Sequence, residues 1–360
     1  MNALPATVPV AVVGGGQSGL AAAYHLRQAG VGCVVLDAGS EVGETWERRW
    51  DSLKLFTSAQ FSGLPGLPFP GAGAHYPGKD EVVAYLRGYA ERFDIPVLTD
   101  HRVLSLRRDG DGYLLTTAHG DCRAEQVVIA TGPFGTPRLP EFAAGLSADV
   151  PTLHTSEYRA PDQVPPGTVV VVGDGNSGRQ IAAELSASHS VVLGCSDKVS
   201  PPLPQTVVGR DMFWWMSVIG VMSLPVNMQA PDPIVGDRVP ELVAAGEMRT
   251  VGRITAAEGA ELVTADGERV KPSTVIWATG YRTDWSWLDP AMLDEDGQPL
   301  HTEGTGVLPG SHYLGLYRMR TRGSALIGFV GRDAERAAAA VTAAAQSTTT
   351  ASPTAEGEPS

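Results

Sequence analysis

Val10-Ala-Val-Val-Gly14-Gly-Gly-Gln-Ser-Gly19-Leu-Ala-Ala-Ala-Tyr24 is the stretch on which the fold turns. An apolar run enters three spaced glycines, Gly14, Gly16 and Gly19, and an apolar-rich helical stretch over 20–29 follows. Cys33-Val-Val-Leu36 then ends on Asp37. Strand, glycine turn, helix and second strand make a βαβ unit. In that context the spacing G-x-G-x-x-G has a mechanism: the first glycine permits the tight turn, the second lets a pyrophosphate approach the backbone, and the third lets helix pack on strand. The helix N-terminus, with Gln17 and Ser18 in its first turn, supplies amides and dipole to the phosphates. Asp37 is placed to accept from an adenosine ribose hydroxyl. FAD and NAD each suit such a site.

The unit recurs 159 residues later, as Val169-Val-Val-Val172 running into Gly173-Asp-Gly-Asn-Ser-Gly178, a helical stretch over 179–186 and the strand Val191-Val-Leu193. Each unit has a later strand ending in the same triplet, Ala130-Thr131-Gly132 for the first and Ala278-Thr279-Gly280 for the second. The expected fold is α/β with two Rossmann-like dinucleotide-binding domains, and a final strand-helix unit from Thr321, read as returning to the first, leaves the second inserted into a discontinuous first. Proline-rich junctions around 133–140 and 161–166 mark the connections. The expected segments are 1–155 and 283–340 for the first domain and 165–282 for the second, with 341–360 a disordered tail of Ala, Thr, Ser, Glu and Pro.

The second fingerprint differs in its ribose reader. The 18 residues from Gly19 to Asp37, counted from Gly178, reach Ser196. A neutral residue there, with Lys198 nearby, removes repulsion toward a 2′-phosphate and favours NADPH, although Asp197 acts against this. Two dinucleotide sites in one chain suggest an electron relay, and the economical pairing is FAD at the first site with NADPH at the second.

Composition narrows the partners. The chain has 360 residues, room for two domains at about 150 residues each. A net charge of -13 argues against a broad grip on nucleic acid or an anionic membrane and leaves small molecules as ligands. The longest apolar stretch, 213–226, is short and interrupted by Ser217, Gly220, Ser223 and Pro225, so no membrane span is expected. It reads as a pocket lining, a buried helix or a homodimer contact. Cys33, Cys122 and Cys195 form no C-x-x-C. That fits a reducing, cytoplasmic setting and removes the disulfide to which a reduced flavin could pass electrons, leaving oxygen or a small acceptor.

Between and beyond the fingerprints lie Gly43-Glu-Thr-Trp46, the run from Trp50-Asp-Ser-Leu-Lys54 to Gly-Leu-Pro-Phe-Pro70, Tyr76-Pro-Gly-Lys79, His154-Thr-Ser-Glu-Tyr158, Gly209-Arg-Asp-Met-Phe213 and Ala278-Thr-Gly-Tyr281. In this order they resemble the class B flavin-containing monooxygenases, most closely the YUCCA-type enzymes and similar bacterial flavoproteins, from Val8 to about Arg332. The resemblance implies that NADPH reduces FAD, that O₂ adds at the flavin C4a position, and that the hydroperoxide delivers one oxygen atom to a small organic substrate. That transfer would be N- or S-oxygenation or oxidation of an α-keto acid. It also implies His154 and Tyr158 at the domain junction, Gln60 near the isoalloxazine, Asn176 in catalysis as well as in cofactor binding beside Ser177, and Trp46 beside the flavin. In the final strand-helix unit, which returns to the flavin domain, Gly323 and Ser324 are candidates because a helix N-terminus there would point its dipole at the flavin. The sequence departs from the family fingerprint F-x-G-x-x-x-H-x-x-x-Y at Ala148 and Val150, and carries Tyr317-Arg-Met-Arg320 where bacterial relatives have Trp-Gln. Those departures keep open a peroxide-releasing oxidase or reductase and a flavin-binding redox sensor.

Overall fold

The computed structural model describes residues 3–196, 202–223 and 234–350. Val10, Ala11, Val12 and Val13 are all buried, as expected of a strand covered on both faces of a parallel sheet, where an apolar run replaces alternation. They belong to Thr7–Val13, the central strand of a sheet whose parallel part runs Val97–Leu98, Cys33–Leu36, Thr7–Val13, Gly120–Ile129 and Ser311–Tyr313. An antiparallel pair, Gly112–Thr117 with Val103–Asp109, continues from Gly120–Ile129.

The helix Gln17–Gln28 buries Leu20, three consecutive alanines and Leu26 against this sheet. Beside it lies the last helix, Gly331–Thr350, whose Ala334, Ala338 and Val341 form one apolar stripe in the same core cluster. Gln126 Nε2 donates to the Val341 carbonyl at 2.9 Å. The helix therefore continues beyond position 341, where composition had suggested disorder. Alanine is the best helix former, and the buried stripe supplies the packing that low hydrophobicity alone seemed to deny.

The second sheet repeats the first. Its five parallel strands run Met248–Val251, Ser190–Gly194, Thr168–Val172, Thr274–Trp277 and Thr152–His154, and an antiparallel trio, Ile254–Glu258, Glu261–Thr264 and Arg269–Val270, accompanies it. All five parallel strands lie in sequence between Gly120–Ile129 and Ser311–Tyr313, so the second domain is inserted into the first. The boundary read at 155 moves, because Thr152–His154 pairs with Thr274–Trp277 and is an edge strand of the second sheet. The two chain crossings run side by side as the antiparallel pair Thr136–Pro137 and Tyr281–Arg282.

The last strand-helix unit also differs. The strand returning to the first sheet is Ser311–Tyr313, and the expected strand around 321–328 is a series of turns. Ser324 accounts for this locally: its hydroxyl accepts from the backbone N–H of Thr321 at 3.0 Å and of Arg320 at 3.3 Å, bonds that compete with a strand ladder.

Two outcomes follow. Val341→Asp puts an unpaired carboxylate into the shared helix core and should cost more than about 2 kcal/mol in chemical denaturation; unchanged stability would mean that the helix beyond 340 does not pack. His312 is buried, and burial lowers its pKa from 6.5 to about 4. Protons then bind the unfolded chain first, so its contribution to stability is lost as pH falls from 6.5 toward 4. Thermal melts across that range should drop less steeply for His312→Leu than for the wild type, and parallel curves would refute the assignment.

Candidate functional site

The first glycine turn and the start of the helix that follows the second face one cleft. Gly14, Gly15, Gly16, Gln17 and Ser18 line it from the first domain, and Asn176, Ser177 and Gln180 from the second. In the first turn Gly14 has φ +108°, and a Cβ on Gly19 would lie 1.8 Å from the Gly14 carbonyl oxygen. The second turn repeats this: Gly173 has φ +109°, and a Cβ on Gly178 would lie 2.0 Å from the Gly173 oxygen. Gly14, Gly19, Gly173 and Gly178 thus hold helix against turn. Gly16 and Gly175 do something else. A Cβ on either would meet nothing within 4 Å, so the backbone borders open space at the N-caps of the helices Gln17–Gln28 and Asn176–Leu185. Exposed amides at a helix N-terminus suit phosphate.

The first turn ends at Asp37, whose carboxylate accepts from the N–H of Gly15 and, at 2.7 Å, from that of Gly39. Trp46 Nε1 donates to Gln17 Oε1 at 3.2 Å, joining two expected cofactor contacts on the cleft wall. Trp50 also lines the cleft, and its Nε1 is buried with no hydrogen-bond partner among the described residues. A buried donor without an acceptor is costly in a protein alone; one bordering a cleft fits a bound polar group. Thr131 and Gly132 close the cleft at the end of Gly120–Ile129. These features fit an adenine dinucleotide on each turn.

Several expected residues lie elsewhere. Gln60 is exposed on the turn Ala59–Phe61 and does not line the cleft. His154 is buried, and its ring is committed: the Ser156 N–H donates to Nδ1 at 3.1 Å, which leaves the proton on Nε2, 3.0 Å from the Gly280 carbonyl. Burial lowers its pKa, favouring this neutral form. Tyr158 is fully buried and donates to Glu184 at 2.8 Å, and burial raises its pKa. Neither reaches the cleft: the His154 bond ends beside the domain junction, at the Gly280 carbonyl, and the Tyr158 bond lies on the second domain's helix Asn176–Leu185. Thr279 and Gly280 serve the same junction: Thr279 Oγ1 donates to the Arg138 carbonyl, and the Arg138 N–H donates to the Gly280 carbonyl. Ser324 spends its hydroxyl on the local turn, a Cβ on Gly323 would meet Phe329, and neither residue lines the cleft.

The register corrects the ribose position. Val13 pairs with Leu36, and Val172 with Gly194. The residue after each is the counterpart, so Asp37 matches Cys195, not Ser196. The stretch from the third glycine to the strand end is one residue shorter in the second unit, which a count along the sequence does not reveal. Lys198 lies outside the described residues.

Arg49 was not singled out by sequence. Its guanidinium sits 4.5 Å from the centre of the Phe134 ring and 5.1 Å from that of Tyr281, donates to the Tyr281 hydroxyl, and borders the cleft. Nothing in Trp-Glu-Arg-Arg-Trp distinguishes it from its neighbour Arg48. The apolar stretch beginning at 213 is partly explained, since Phe213 is buried and stacks on Phe56, a cleft residue.

Two dinucleotide-type turns on one cleft define a two-domain dinucleotide-binding protein, and comparisons make it a flavoprotein oxidoreductase. The pyridine nucleotide-disulphide oxidoreductase family model matches residues 11–200. An uncharacterized CzcO-like oxidoreductase of Geobacillus kaustophilus is 39% identical over 91% of this chain and 96% of that protein. The indole-3-pyruvate monooxygenase YUCCA1 of Oryza sativa subsp. japonica is 30% identical, covering 84% of this chain and 83% of its own length. A mutant flavin monooxygenase from Stenotrophomonas maltophilia superposes with a TM-score of 0.81 at 30% identity, covering 94% of this chain and 99% of that one. The chain belongs to the class B flavin monooxygenase family, whose members are flavin-dependent oxidoreductases.

Replacing Asp37 with Asn keeps the shape of the side chain and removes its charge. Binding of an adenine dinucleotide to the first turn should weaken about tenfold, read as the flavin retained through gel filtration and by fluorescence titration. Full retention would show that Asp37 only braces the turn.

Proposed function

We propose that this protein is a monooxygenase that holds FAD on the first glycine turn and a reduced nicotinamide dinucleotide on the second, and uses O₂ to oxygenate a small organic substrate. The observation that carries this is the single cleft bordered by both helix N-termini. When bound, the flavin would supply oxygen activation and the nicotinamide the hydride. The chain's own residues have narrower tasks. Asp37 would accept from a ribose hydroxyl, and the amides at Gly16 and Gly175 would face the pyrophosphates. Trp50, Leu53, Leu55 and Phe56 make an apolar wall that keeps water from the reacting atoms.

Arg49 supports a narrower reading of the substrate. A guanidinium at the cleft edge would pair with a carboxylate, and the rice relative acts, by its name, on indole-3-pyruvate, an α-keto acid. An α-keto acid is therefore the first substrate class to try, ahead of amines and sulfides.

The test is aerobic turnover of the FAD-loaded protein with a reduced nicotinamide dinucleotide and indole-3-pyruvate. Oxygen consumption should rise with substrate, labelled O₂ should appear in the product, and catalase should recover little oxygen. Arg49→Gln should raise KM for the keto acid at least about tenfold with a smaller change in kcat. If every reducing equivalent ends as hydrogen peroxide with amines and sulfides as well as the keto acid, the protein is an oxidase and the proposal fails.

A further inference from the structure

Two motifs of the sequence, Tyr76-Pro-Gly-Lys79 and Gly209-Arg-Asp-Met-Phe213, lie outside the cleft yet meet each other across the domains. The meeting arises from an excursion of the chain. In the second sheet Ser190–Gly194 pairs with Met248–Val251, and a parallel crossover of this kind needs about a dozen residues, usually with a helix. Val239–Ala244 supplies the helix. The described part of the remainder, 202–223 with Ile234–Val235, packs on the first domain. Pro202–Leu203 pairs with Ile234–Val235, Thr206–Val207 forms a hairpin with Arg210–Asp211, and the short helix Met212–Val218 follows.

The Asp211 carboxylate ties this excursion down. Its Oδ1 accepts from the Phe213 N–H at 2.6 Å, capping the helix, and its Oδ2 accepts from the hydroxyl of Tyr76, in the first domain, at 2.9 Å. Phe213 is buried in a small apolar cluster with Met222 and Val235, apart from the clusters that pack the two sheets. Its ring lies 5.8 Å from that of Phe56, with the planes 24° apart, and 6.0 Å from that of Phe329, which stacks in turn on Phe61. Phe56 is the member of this stack that lines the cleft, and it is half-buried. Its own backbone gives it little support: Lys54 makes only an isolated bridge to Gly78, and Phe56 belongs to no helix or strand. The ring is held by what packs behind it.

We propose that Phe213 is a positioning residue for the oxygenation: the second domain's excursion presses it against Phe56, and Phe56 so held keeps the apolar side of the cleft dry. This rests on the reading that the cleft holds the flavin. Without the Phe213 ring, Phe56 turns into the space behind it and water enters. The hydride from the dinucleotide and a proton then reduce O₂ to hydrogen peroxide, instead of one oxygen atom going to the substrate and the other to water.

The test uses the full-length FAD-loaded protein. Phe213→Ala should make iodide quench the fluorescence of the bound flavin at least about threefold more strongly, and should raise by a similar factor the share of electrons recovered as peroxide with indole-3-pyruvate. Anaerobic bleaching of the flavin by the reduced dinucleotide should stay within about twofold of the wild-type rate, which a general loss of structure would not spare. Phe213→Leu, which refills most of the space, should return both readouts toward the wild type. Tyr76→Phe removes only the hydroxyl tie and should move both in the same direction by less, and this arm stands even if Phe213→Ala does not fold. Quenching and peroxide share unchanged in Phe213→Ala and Tyr76→Phe overturn the role of Phe213. If quenching responds while the wild type leaves indole-3-pyruvate unoxygenated, the substrate reading fails and the positioning role holds. A protein that retains no flavin overturns the reading of the cleft, and this inference with it.

Discussion

The approach of Gly19 to the carbonyl oxygen of Gly14 is the contact on which the first domain depends, and Gly178 on Gly173 does the same for the second. Helix and strand come together there, backbone on backbone, with no room for a single carbon atom. That closeness draws the helix N-terminus up to the end of the central strand, where its amides meet open space at Gly16 and Gly175. A larger residue at the third glycine would force helix from strand and blunt the phosphate cradle in one stroke. Core packing and ligand site are thus consequences of the same short turn.

Duplication makes two such cradles, but function requires that they look at each other. The inserted topology arranges this through the paired crossings Thr136–Pro137 and Tyr281–Arg282 and a set of bonds across the junction. Gln180 donates to the Lys54 carbonyl, the Asp51 N–H donates to the Arg159 carbonyl, and Arg49 bridges to Tyr281. His154 and Tyr158 spend their buried polar atoms on bonds to Gly280, Ser156 and Glu184, which makes them unsuited to moving protons.

The sequence reveals what depends on local pattern. Both fingerprints and all four flanking strands of the βαβ units follow from valine runs and glycine spacing. What it hides depends on partners far along the chain. Nothing local tells that Thr152–His154 joins the second sheet, because its pairing strand is Thr274–Trp277. Gln60, Gly323 and Ser324 have surroundings, set by distant parts of the chain, that take them away from the cleft. The shift from Ser196 to Cys195 arises from one missing residue between helix and strand, visible only once Val172 is paired with Gly194.

The central claim is that the two turns bring a flavin and a nicotinamide within reach of hydride transfer across one cleft. Anaerobic titration of the FAD-loaded protein with reduced nicotinamide dinucleotide measures this most directly. The account predicts that the flavin absorbance bleaches with one equivalent of dinucleotide per flavin, and that oxygen restores it. A flavin that stays oxidised while the dinucleotide binds would contradict it.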